Sequence, residues 1–158
     1  MQLIVTLTLH QEAALHEALH IVRATPGYAA VAVELSQLAS EGQIHFNPDL
    51  EDRALVGLLG TLTLGPEALH GSPLSLAQTL VHEHFHLRQN PLLKTLSFWS
   101  GVLSGTHVMR RYEKPAYWAA HQFLEAVKQV RPELAAEAKF EQRAIRQVFA
   151  SVFGGELD

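Results

Sequence analysis

Residues 73–89, PLSLAQTLVHEHFHLRQ, constrain this chain more than any other stretch. Ser72 is placed to cap a helix with Pro73 in its first turn, apolar residues then recur at helical spacing, and Asn90-Pro91 stops the pattern. Leu76, Leu80 and Leu87 flank one side of this helix and Ala77, Val81 and Phe85 the other, so most of its circumference must be covered by the rest of the chain. A narrow stripe of His82, His86 and Gln89 interrupts the apolar surface. Two buried histidines one turn apart want a common partner, because an imidazole taken from water needs a hydrogen bond or a metal. A chain of 158 residues, 47% hydrophobic and 18% charged, can cover such a helix within one domain spanning 1–158.

Composition narrows the chemistry. A net charge of -4 and a pI near 6.2 do not suit a polyanion-coating surface, so no nucleic-acid partner is expected. The absence of cysteine removes disulfide scaffolds, thiol nucleophiles and thiolate metal sites together. Ten histidines stand against twelve lysines and arginines, so any metal is held by imidazole nitrogen and carboxylate oxygen, which suit zinc and some first-row neighbours. The N-terminal MQLIVTLTLH has no basic residue before its apolar stretch and no small-residue cleavage site. The longest apolar run, around 92–109, is broken by Lys94, Ser, Thr and two Gly, too polar for a membrane span. The expectation is a soluble cytoplasmic protein without a membrane partner.

Periodicity divides the chain at Ser72. Before it, residues 3–9 read as a strand, Gln11 to Arg23 as a helix ended by Pro26-Gly27, and Ala29–Leu35, Gln43–Phe46 and Gly57–Leu64 as short extended segments. After it come the helix over 73–89, a second apolar helix over 92–104, a third from near Pro115 to about Val130, and a fourth from Pro132 to Phe153. The fourth sets Leu134, Phe140, Ile145, Val148 and Phe149 opposite its charged side. The fold class is α+β, a small N-terminal sheet with one backing helix followed by a helical half.

The pattern H-E-x-x-H occurs twice, at His16-Glu17-Ala18-Leu19-His20 and at His82-Glu83-His84-Phe85-His86, where chance would supply roughly 0.05 copies. The spacing sets two imidazoles about 40° apart around a helix and one turn along it, within reach of one ion, with the Glu beside them to take a proton from water. In the first copy Glu12, His16, His20 and Arg23 make a polar stripe opposite Leu15, Leu19 and Val22, the pattern of a solvated helix face. The second copy lies in the apolar helix and is the candidate metal site.

A catalytic zinc takes a third protein ligand. Gln89 and Leu92 stand where a metzincin extension needs Gly and His, and no Asp occurs between Asp52 and Asp158. Glu113 remains, with His107 and His121 as imidazole alternatives and Glu125 more distant. From Glu113 one helix face continues through Ala116, Tyr117, Ala120 and His121, and the alanines allow close approach of another helix. A carboxylate at Glu113 also suits a helix N-terminus on dipole grounds alone.

LVHEHFHLRQ followed by E-x-x-A resembles the gluzincins, zinc peptidases with H-E-x-x-H on one helix and a Glu ligand on a following helix, and particularly their small single-domain, minigluzincin-like members. The resemblance covers residues 1–125. It implies a zincin-like fold, Zn²⁺ held by His82, His86 and Glu113, Glu83 as general base, and a peptide or protein substrate. The first H-E-x-x-H then falls on the backing helix. Arg88 in place of an apolar residue, Tyr117 in place of an acidic one and Pro115 within the Glu motif depart from the pattern and leave the substrate class undefined.

On that reading the ion acidifies water, Glu83 takes the proton and passes it to the leaving amine, and Tyr117 or His121 stabilises the oxyanion. A substrate would add as a strand along an edge at Gly60–Leu64. The alternatives are a catalytically inactive zinc-stabilised interaction module of the same fold, and a metal-free helical domain with its partner on 92–104.

Overall fold

The computed structural model describes residues 6–57, 59–90 and 92–157; it is mostly helical, with one small mixed sheet, compatible with an α+β class. The chain divides into two compact units, one ending at Leu87 and one starting at Arg88.

In the first unit, helix α1 (Leu9–Ala24) packs against helix α2 (Ala29–Ser40). The expected strand over 3–9 falls partly outside the described residues, and in its described part Thr8 caps α1. The Thr8 hydroxyl accepts from the Gln11 amide at 3.3 Å while the Gln11 side chain accepts from the Thr8 amide at 2.9 Å, a reciprocal capping box. The expected extended segment Ala29–Leu35 is helical instead. Its Val-Ala alternation imitates a period of two, but Ala32 and Leu35 are the fully buried positions and Val33 is exposed, a helical spacing with alanines that favour the helix.

The sheet has the order β1-β3-β2, with β1 (Ile44–Phe46) parallel to β3 (Leu62–Leu64) and β2 (Ala54–Val56) antiparallel to it. The expected Gly57–Leu64 strand is thus a turn followed by a three-residue strand, the Gly57 amide donating to the Thr61 carbonyl at 2.8 Å. β3 is central and paired on both sides, so Gly60–Leu64 offers no free edge for an added strand. Leu62 and Leu64 are fully buried.

A short helix, α3 (Pro66–His70), leads to α4 (Pro73–Arg88). Ser72 caps α4 as expected, its hydroxyl accepting from the Ser75 amide at 3.1 Å. Every residue from Leu74 to Val81 is buried, and each fully buried leucine here contributes roughly 1.5–3 kcal/mol of transfer free energy. Arg53, the residue before β2, donates to the Ser75 hydroxyl at 2.6 Å, tying the start of α4 to the chain entering that strand.

The second unit is α5 (Leu92–Ser104), α6 (Arg110–Val130), a 3₁₀ turn (Pro132–Leu134) and α7 (Ala135–Phe153). α6 and α7 form a hairpin whose core includes the fully buried Phe123, Leu124, Val127, Ala138 and Phe149. The inward stripe of α7 is Ala138, Gln142, Ile145 and Phe149; Phe140 and Val148, expected on that side, are exposed.

α6 starts five residues before Pro115, with no side-chain cap of its own. A tertiary substitute comes from α5: the Ser97 hydroxyl accepts from the Tyr112 amide at 3.1 Å and donates to the Val108 carbonyl at 2.7 Å, while Gln89 donates to the Tyr112 carbonyl at 3.0 Å. Close approach makes this possible, since a Cβ on Gly101 would lie 2.5 Å from Val108 Cα. Gly101→Ala is therefore expected to lower stability by about 1–3 kcal/mol, read as a lower thermal midpoint; a midpoint equal to wild type would show that the 107–108 segment yields freely.

Among the described residues no helix is long and apolar enough to cross a membrane.

Candidate metal centre

α4 carries the second H-E-x-x-H through its last two turns, with Glu83, His84 and His86 buried and His82 half-buried. The Nε2 atoms of His82 and His86 are 3.1 Å apart, with the ring planes at 74°. Two nitrogens held about 2.0–2.1 Å from a tetrahedral zinc ion lie roughly 3.3 Å apart, so the pair already converges at a ligand-like spacing. The same 3.1 Å lets one imidazole donate to the other.

Glu113 lies in the first turn of α6, the turn held by Ser97 and Gln89, and its amide donates to the Met109 carbonyl at 2.9 Å. Ligand atoms of His82, His86 and Glu113 all lie within 4.8 Å of one another, the one such group of three or more among the described residues. Two imidazoles and a carboxylate are a donor set that could hold a metal ion.

The histidines of the first motif, His107 and His121 are placed differently. His16, Glu17 and His20 are exposed on α1, opposite the buried Leu15, Ala18, Leu19 and Val22, so the first H-E-x-x-H is a solvated face. His107 is exposed; its Nδ1 accepts from the Met109 amide at 3.1 Å and its ring edge meets Phe153 at 4.9 Å. His121 is two turns beyond Glu113, about 12 Å along the helix axis. It stacks on Trp118 at 5.3 Å and its Nε2 accepts from Arg146 Nε at 3.2 Å. Burial, and then Arg146, hold the His121 imidazole below its ordinary pKa; the neighbouring Glu125 pulls the other way and Lys128 adds to the lowering. The Glu125 carboxylate accepts from Lys128 at 2.6 Å and Gln142 at 3.1 Å, which lower its pKa. The Tyr117 ring lies among Phe149 and Phe153, at 5.6 and 5.9 Å.

Sequence reasoning missed one partner on α4. His84 Nε2 lies 2.7 Å from Glu34 Oε2 on α2, a contact that orients α4 about its own axis. Reading Ala29–Leu35 as extended hid it, because Glu34 then had no helix face to occupy.

Comparison with family models, with curated proteins and with solved structures returns no match to this chain.

Proposed function

We propose that the chain is a zinc-dependent peptidase of the gluzincin type, with His82, His86 and Glu113 as metal ligands and Glu83 as general base. The convergence of His82 and His86 Nε2 at 3.1 Å, with a Glu113 oxygen in the same group, supports this reading most directly.

Bound zinc would supply Lewis acidity, lowering the pKa of water toward about 7 and polarising a peptide carbonyl. The protein's own share begins with Glu83, which follows His82 and so lies beside the ligand pair on a rigid helix. Glu83 is a buried residue of that helix. Glu83 accepts the proton of the attacking water and delivers it to the departing amine, so that neither hydroxide nor an amide anion forms free in solution. Tyr117, one turn beyond Glu113, is the candidate for hydrogen bonding the developing oxyanion, because His121 lies about 12 Å further along the helix axis from Glu113. A substrate strand would pair with β1 or β2, the sheet's two edges.

Digestion of casein or a peptide library by the zinc-loaded chain tests the proposal. Cleavage that stops with a chelator and returns with zinc is the expected result. No cleavage under any condition, with zinc bound, would favour the zinc-stabilised interaction module.

A further inference from the structure

The α6–α7 hairpin holds a second cluster that the peptidase reading does not use. A cleft of about 320 Å³ is lined by His121 and Lys128 from α6 and by Lys139, Arg143 and Arg146 from α7. Glu125 is its one acidic residue, and that carboxylate is occupied by Lys128 and Gln142. Lys139, Arg143 and Arg146 recur at helical spacing on one face and make no ion pair among the described residues. Three uncompensated cations on one face repel one another, an arrangement that an anion relieves.

The imidazole at the cleft supplies the independent observation. Arg146 Nε can only donate, so His121 Nε2 must be an acceptor and the neutral ring carries its proton on Nδ1. That Nδ1 is buried and has no hydrogen-bond partner, in a residue only 7% exposed. A buried donor without an acceptor costs about 1–3 kcal/mol in the general case, and His121 is one of the residues lining the cation-walled cleft. An acceptor with negative charge would answer both the unpartnered N–H and the cations. The depressed pKa of His121 agrees, since it keeps the ring in the neutral form that has a single N–H to offer.

We propose that this cleft binds a small phosphomonoester, its dianionic phosphate held by Lys139, Arg143 and Arg146 and accepting from His121 Nδ1–H. Three cations and one N–H donor match the charge and the several acceptor oxygens of a phosphate better than the single charge of a carboxylate. The volume exceeds that of phosphate alone and leaves room for a small organic substituent.

Titration calorimetry of inorganic phosphate into the zinc-loaded full chain, at ionic strength held constant with chloride, tests this together with the ¹⁵N shift of His121 Nδ1. Saturable binding that moves the His121 signal is expected. Lys139→Gln with Arg143→Gln should weaken it at least tenfold, and Glu125→Gln should tighten it several-fold by removing the opposing charge and releasing Lys128. These residues are exposed or half-exposed, so circular dichroism should show the variants folded. An absent heat, a signal that stays put while phosphate binds elsewhere, an unchanged affinity in the double variant, or acetate binding as tightly as phosphate would each overturn the proposal.

Discussion

Glu83→Gln is expected to lower the rate of peptide cleavage by about 10²–10⁴-fold while the metal stays bound. Glutamine keeps the shape and buried position of Glu83 but cannot accept a proton at neutral pH, whereas the ligand atoms of His82, His86 and Glu113 are untouched. A rate near wild type with zinc retained would remove Glu83 from the chemistry. Loss of zinc along with activity would instead make Glu83 a support of the ligands, a different role for the same residue.

His86→Ala carries the second large effect. A ligand that binds only the folded state stabilises it by about 4.1 kcal/mol at a thousandfold excess over its dissociation constant, which for a chain of this size raises the thermal midpoint on the order of 10 °C. Zinc is expected to produce such a rise in wild type and none in His86→Ala. The variant also loses a buried imidazole and its contact with His82, so its midpoint without zinc should fall somewhat as well. The comparison between zinc-loaded and zinc-free protein, made within each variant, separates the two contributions. An equal rise in both proteins would place the stabilising ion at other residues.

What was legible in the sequence follows from which forces are local. α4 could be read because its apolar circumference, its Ser72 cap and its Asn90-Pro91 stop all lie within one stretch, and they require burial whatever covers it. The same logic read the first H-E-x-x-H as a solvated face, since the exposure of His16 and His20 is written in the polar stripe of α1. α2 was illegible because valine and alanine alternation satisfies a period of two and of three or four over a short span, and burial of Ala32 and Leu35 decided the matter. The start of α6 depends on Ser97, fifteen residues upstream of the Tyr112 amide it accepts from, and no local pattern at 109–113 announces it. Glu113 was therefore identified as a ligand candidate by elimination, while its place in the first turn of α6 rests on α5. The cationic cleft was hidden for a related reason: Lys139, Arg143 and Arg146 read as an ordinary charged side of α7 until His121 is seen across from them.

The proposed chemistry requires a metal ion held by His82, His86 and Glu113. The most direct measurement is the zinc content of the purified full chain after dialysis against buffered low free zinc, beside that of Glu113→Gln prepared in the same way. About one zinc per chain is expected in wild type and a large loss in Glu113→Gln, in keeping with a site of three protein ligands. Zinc well below one per chain in wild type would contradict it, and so would full retention in Glu113→Gln.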